Sequence, residues 1–295
     1  MKLNYACPDS FLQEEVRGGY KISAQMKRVW AVQIDLMHQL LDVCQRHGLR
    51  IYADGGTMLG AVRHGGFIPW DDDIDMVMMR EDYDKLMALA DEFEHPYFLQ
   101  TIYNDPHYTH RHAQLRNSDT ACWPAHAGGC PYKYNQGIWV DIFPADNMPT
   151  TARAFAHHYK KEGVARQKFR FVSKLANAMP ESIYQWMRQK TRILSDKVRY
   201  AQYEETLRRV EANPLGSVCE MAFQRGSIVA QRTDFGEPRM VPFEYTQIPL
   251  AQHPERLLAL QYGADYMTPR QAPSEHGSLE FDTEKSYTYY LKNKK

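Results

Sequence analysis

The sequence has no apolar run near the length of a membrane span, so it offers no transmembrane helix. Its opening, MKLNYACPDS, lacks the apolar core of a secretory signal, and the expectation is a cytoplasmic protein. It lacks net charge: 36 Lys plus Arg balance 36 Asp plus Glu, which removes the electrostatic reason to expect nucleic acid as the partner. It lacks a cysteine framework, because five widely scattered cysteines fit reduced thiols. It also lacks internal repeats and low-complexity stretches. What is there is a chain of 295 residues, 43% of them hydrophobic, enough for one large domain or two small ones and too apolar for disorder.

The balanced charges are segregated. Residues 71–105 hold eleven acids against Arg80 and Lys85, whereas residues 151–200 hold twelve bases against Glu162, Glu181 and Asp196. Two such blocks fit a cation site at one and an anion site at the other, or else two solvated helix faces.

Hydrophobic spacing predicts a helix over 21–47, with Ile22, Met26, Val29, Val32, Leu36, Leu40 and Val43 on one face and Gly48 as its stop. A short strand over 50–53, a short helix over 57–63, a strand over 74–79 and a helix over 81–92 follow. Strands are expected near 97–102 and 112–116 and over 138–143, where Pro144 should end the last. Two long basic helices are expected over 151–176 and 181–212, separated by Pro180, and a further helix over 254–262. Alternating helices and short strands indicate an α/β chain with a mixed sheet. The expected division is a catalytic core over 1–148, a basic helical insertion over 149–212, and a segment over 213–295 that completes the core.

The informative stretch is YADGGTMLGAVRHGGFIPWDDDIDMVMM, residues 52–79. Positions i and i+2 of a strand share a face, so Asp73 and Asp75 are expected side by side. Two like charges so placed need a cation, and hard carboxylate oxygens suit Mg²⁺ or Mn²⁺. Asp71 and Asp72 stand just before them as outer ligands. Gly55, Gly56 and Thr57 lie between a strand and a helix start, where backbone N–H groups can receive a phosphate. Asp141 sits inside the apolar run IWVDIF, costly unless it has a partner such as a metal or a hydroxyl to deprotonate. The competing possibility is an acidic surface turn with Asp54 as a helix cap.

ADGGTMLGAVRHGGFIPWDDDID resembles the signature of the LicD family, bacterial cholinephosphotransferases related to the fukutin group. Weaker resemblance continues through RHAQLRNSDT (111–120) and WVDIFPAD (139–146), and returns at YGADYM (262–267). The resemblance implies a nucleotidyltransferase-like mixed sheet flanked by helices. Asp73, Asp75 and Asp141 would be catalytic metal ligands, with Gly55, Gly56 and Thr57 on the phosphate side. It implies transfer of a phospho-alcohol such as phosphocholine from a cytidine diphosphate donor to a glycan or glycolipid hydroxyl, with CMP leaving. Two departures bear on donor or acceptor identity. Gln114 stands where the family often has lysine, and YGADYM carries an alanine beyond the usual Tyr-Gly-Asp-Tyr-Met.

Arg63, His64 and Arg116 are further substrate-binding candidates, each able to grip a phosphate or to sit in an ordinary salt bridge. Asp265, in YGADYM, joins them. Trp70, Trp123, Trp139 and Tyr266 are candidates to face a quaternary ammonium cargo. Cys122, His126 and Cys130 do not follow a familiar zinc spacing, and no structural zinc is expected. The basic block gives a further expectation of peripheral contact with the inner membrane face. Alternatives are transfer of a nucleoside monophosphate with pyrophosphate as product, and a non-catalytic binding protein of the same fold.

Overall fold

The computed structural model describes residues 2–224, 226–271 and 277–292. A hairpin, β1 (Glu15–Arg17) and β2 (Tyr20–Ile22), leads into the long helix α1 (Ala24–Arg46). Ser23 caps α1 by accepting from the Met26 N–H, and Gly48, at φ 62°, turns the chain after it. Val29, Val32, Leu36, Leu40 and Val43 are all buried, as their spacing requires.

The core then builds through β3 (Tyr52–Ala53), α2 (Gly55–His64), β4 (Asp75–Met79) and α3 (Arg80–Met87). The helix expected over 81–92 stops at Met87, and only a 3-10 turn, Ala90–Glu92, follows. Next come β5 (Tyr97–Gln100), β6 (Ala113–Asn117), β7 (Ala121–Pro124) and β8 (Ile138–Asn147).

Strand β8, buried along its whole length, organises the sheet. β4 lies parallel to it on one edge, with Asp75 opposite Asp141, and β3 pairs antiparallel to β4. On the other edge β6 pairs antiparallel with Ile138–Ile142, and β5 extends the sheet beyond β6. The result is the expected mixed sheet.

Pro144 does not end β8. The Asp141 N–H donates to the Ile74 carbonyl on the β4 side, so alternation turns position 144 toward the opposite edge. There the pairing with β6 stops at Ile142, and pairing with the next strand begins only at Asp146. The missing proline N–H falls in a gap that needs no donor.

The helical insertion differs from expectation. Its three helices are α4 (Ala152–Asn177), α5 (Glu181–Lys190) and α6 (Asp196–Arg208). The second predicted helix breaks at 191–195, where Ser195 accepts from the Val198 N–H and caps α6. α4 and α6 share their own apolar cluster of Phe169, Tyr200, Tyr203 and Leu207 with Ile102 and Met148. Buried Arg80 bonds this unit to the sheet, with Nε to Asp146 Oδ1 at 2.7 Å and Nη1 to Glu204 Oε1 at 3.3 Å.

The chain returns to the sheet with β9 (Ser217–Cys219) and β10 (Ala230–Gln231), which continue the β8 edge past the proline gap. β11 (Arg239–Phe243) and β12 (Thr246–Leu250) form a hairpin, followed by α7 (Pro254–Tyr262). β13 (Leu279–Asp282) pairs with β7, and α8 (Tyr287–Lys292) ends the described chain. Among the described residues, no helix is long and apolar enough to cross a membrane.

Candidate active site

Asp73, Asp75 and Asp141 converge. One carboxylate oxygen from each lies within 4.8 Å of the others, and Asp71, Asp72 and Asp73 form a second such group. Parallel pairing of β4 with β8 sets Asp75 directly beside Asp141. Asp73 is not on the strand, since β4 begins at Asp75. It is brought in by the segment 71–74, which is held from outside. Trp30 Nε1 donates to the Asp71 carbonyl at 3.0 Å, and Gln33 Nε2 donates to the Asp72 carbonyl at 2.8 Å. Thr57 Oγ1 accepts from the Asp75 N–H at 2.8 Å, fastening the start of α2 to the start of β4.

The glycines allow these acids to crowd the helix N-terminus. Gly55 has φ 52°, which favours glycine, and a Cβ there would meet Asp75 Oδ2 at 3.2 Å. At Gly56 a Cβ would meet Asp71 Oδ2 at 2.6 Å, closer than real Cβ contacts come. Asp54 occupies the N-cap position, but its side chain makes no capping bond and instead accepts from Gln261 Nε2 at 3.0 Å.

The electrostatics divide the acids. Burial and the charges of Asp73, Asp141, Asp54 and Asp71 hold the Asp75 carboxyl well above the usual carboxylate range. Burial and the neighbouring Asp73 raise Asp71 in the same way. Asp141 moves oppositely. Burial works against its charge, but His112, Gln114 and Trp139 outweigh it and hold the carboxyl well below its ordinary value. His112 Nε2 and Gln114 Nε2 donate to Oδ1 at 2.8 and 2.7 Å, and Trp139 Nε1 donates to Oδ2 at 2.6 Å. An ionised carboxylate has about four lone-pair sites, so room for a cation remains. Acids this close, two of them made costly to ionise, could hold a hard divalent ion.

The trio opens into a cavity of about 1440 Å³ that also receives Gly55, Gly56, Arg63, Trp70, Arg116 and Asp265. Thr57 and His64 are not on its wall. Arg63 and His64 form the last turn of α2. Arg63 Nη1 donates to the Tyr266 carbonyl at 2.8 Å, and its Nε donates to His64 Nε2 at 3.0 Å. Burial and the charges of Arg63 and Arg17 push His64 below its ordinary value, so it stays neutral and accepts. Arg116 is buried, and its guanidinium bonds to Gln100, Gln114 and the Gly137 carbonyl. It therefore holds Gln114, and through it Asp141, rather than reaching for a phosphate. Asp265 is exposed at the rim and paired with Arg270. Trp70, Trp123, Trp139 and Tyr266 all line the cavity. Cys122 and Cys130 are buried, burial pushes the Cys122 thiol up, and neither joins the two metal-competent groups found among the described residues.

Residues 48–185 match the model of the LicD/FKTN/FKRP nucleotidyltransferase domain family. This stretch is similar to LicD-family domains, and the match covers a little under half of the chain. Over 142 residues the chain is 32% identical to the lipopolysaccharide cholinephosphotransferase LicD of Haemophilus influenzae, covering 48% of this chain and 49% of that protein. Over 43 residues it is 44% identical to human ribitol 5-phosphate transferase FKRP, 15% of this chain and 9% of that one. The chain thus spans about half the length of the cholinephosphotransferase. A crystal structure of ANT(2")-Ia with adenylyl-2"-tobramycin is similar over 59% of this chain and 98% of its own, at 14% identity and a TM-score of 0.23, too low to bear on the chemistry.

The matched segment carries all three converging acids, both glycines and α4, whereas Gln261 and Asp265 come from outside it. Sequence reasoning missed the donors around Asp141. The signals were periodic: Trp139 shares a strand face with Asp141, and Gln114 sits opposite Asp141 in the β6–β8 register.

Proposed function

We propose that this chain is a metal-dependent transferase that moves a phospho-alcohol from a cytidine diphosphate donor to a glycan hydroxyl. The observation that carries this reading is the convergence of Asp73, Asp75 and Asp141 beside the Gly55-Gly56 turn. Similarity to a lipopolysaccharide cholinephosphotransferase and to a ribitol 5-phosphate transferase supports the class of group moved.

Asp73, Asp75 and Asp141 would hold Mg²⁺ or Mn²⁺, which when bound supplies neutralising charge to a diphosphate. The glycine turn leaves space for the diphosphate close to the backbone of the α2 N-terminus. The acceptor oxygen attacks the phosphorus bearing the alcohol. The bridging P–O bond to the nucleotide breaks, CMP leaves with that oxygen, and the hydroxyl proton passes to solvent or a phosphate oxygen. Asp141, fixed by three donors and held ionised, is a poor proton acceptor and serves as a permanent negative ligand. Trp70, Trp123 and Tyr266 give the cavity aromatic faces for a quaternary ammonium cargo.

The test is a screen of cytidine diphosphate esters of choline, ethanolamine, glycerol and ribitol with Mg²⁺ and a cell-surface glycan. Release of CMP with labelling of the glycan is the expected result. Release of pyrophosphate from a nucleoside triphosphate would favour nucleotidyl transfer instead.

A further inference from the structure

The basic block and the acidic block meet in one cavity. Arg170 and Lys174 of α4 line the wall of the space that receives Asp73, Asp75 and Asp141, and Arg111, which precedes strand β6 in the chain, lines it as well. α4 has one acid, Glu162, and it is engaged by Arg166 at 3.1 Å. Among the described residues, no ion pair involves Arg111, Arg170 or Lys174. Arg111 Nη1 is shut off from solvent and has no hydrogen-bond partner, a cost to the fold that a small shift of the guanidinium toward a bound anion would relieve. Arg170 and Lys174 are four residues apart, so two like charges face the same side of one helix turn. Phe169 anchors that turn in the α4–α6 cluster, so the charges stand on a packed support.

We propose that Arg111, Arg170 and Lys174 form a second anion subsite, which holds a phosphate group of the substrate across the cavity from the acid trio. The inference rests on the transferase reading for its substrate and on the cation wall for its chemistry. Guanidinium and ammonium groups converging without a carboxylate suit phosphate oxygens, and a cleft with low-dielectric walls strengthens their field. The diphosphate being cleaved belongs at the acid trio, where a metal can neutralise it. The cation wall therefore takes a separate phosphate. Its source is then the acceptor, because a cytidine diphosphate ester has no phosphate beyond the diphosphate itself, whereas a glycan or lipid-linked acceptor can carry its own.

Calorimetric titration of the full chain with inorganic pyrophosphate in EDTA isolates this wall from any metal. R170E/K174E should weaken binding by about tenfold or more, while D75N should bind pyrophosphate as well as the wild type or better. A loss below threefold in R170E/K174E, with an unchanged far-UV circular dichroism spectrum, overturns the subsite. R111K keeps the charge but loses the fork, and should lower affinity less than the double reversal. Steady-state assays of R170A/K174A then test the source. A rise confined to the acceptor KM is the expected result, and a rise confined to the donor KM overturns the assignment to a separate phosphate. Retained activity in D75N would undo the transferase reading alone, because the pyrophosphate titration involves no metal.

Discussion

The cavity has two unlike walls. The acid wall is built by strand pairing across 66 residues of sequence, Asp75 beside Asp141, and every carboxylate there is crowded by other acids or clasped by donors. The cation wall is largely local, two positions on one helix, and among the described residues its guanidinium and ammonium groups join no ion pair. Crowding alters the acidity of a group, and isolation leaves its charge available. The acid wall is suited to chemistry and the helical wall to holding, and each variant below strikes one property of the acid wall.

The largest effect belongs to Asp75→Asn. Turnover should fall by about a thousandfold, since the loss of one of three metal-binding carboxylates removes charge needed only as the diphosphate is cleaved. The melting temperature of the metal-free protein should stay level or rise, because a crowded, buried negative charge disappears. Thermal melting beside an initial-rate assay separates the two outcomes. Full activity in this variant would detach the acid wall from catalysis.

Gly56→Ala strikes the same wall by shape alone. The added methyl would meet Asp71 Oδ2 at 2.6 Å, so the Asp71 carboxylate, the acid loop or the helix start must shift. A displacement near 1 Å in a catalytic site costs about a hundredfold in rate. A loss in kcat with little change in melting temperature is the expected pattern, and kinetics within threefold of wild type would mean that the turn is not tightly coupled to the reaction.

These two targets were legible in the sequence because each sits in a local pattern. Gly55-Gly56 lies between a strand and a helix, and the acids precede or interrupt apolar runs. What joins them was less legible. No local signal sets β4 parallel to β8 in the register that puts Asp75 beside Asp141, and Asp73 reaches the group through Trp30 and Gln33 on a helix forty residues earlier. Pro144 misled because its exemption depends on where β6 stops and β9 starts. The break before α6 was visible as Ser195-Asp196, but the basic, apolar-flanked run around it reads as continuous helix. Arg116 looked like a phosphate grip because its charge shows in the sequence while its partners Gln100, Gln114 and the Gly137 carbonyl do not.

Trp139→Phe tests a finer point, the donor cage around Asp141. It removes the Nε1 bond to Oδ2 while keeping an aromatic ring on the buried face of β8. The variant should lose about tenfold in kcat, in line with one hydrogen bond to a charged group. His112 and Gln114 still hold Oδ1, so the effect should be smaller than that of Gly56→Ala.

The smallest effect is one of stability against pH, and its sign follows from which state binds the proton. In the metal-free fold Asp75 and Asp71 are raised above the ordinary 3.8, so between that value and their folded values the native state holds more protons than the unfolded chain. Lowering the pH from neutral toward 4 through this window therefore adds stability from these two groups, opposite to the usual carboxylate. Asp141, which is depressed, contributes in the usual sense, and its stabilisation is lost only at lower pH, as the pH falls through its folded value. Adding Mg²⁺ should reverse the trend, because a cation favours the ionised acids. Its stabilisation, RT ln(1 + [L]/Kd), should be larger at pH 8 than at pH 5. Melting curves of wild type and Asp75→Asn in EDTA and in Mg²⁺ at both values provide the measurement. The Mg²⁺ gain should be a few degrees at pH 8 in the wild type, on the order expected for one to two kcal/mol in a chain this long, and should shrink in Asp75→Asn, where one of the crowded acids no longer ionises. A metal shift equal in both proteins and at both pH values would place the ion away from the acid wall.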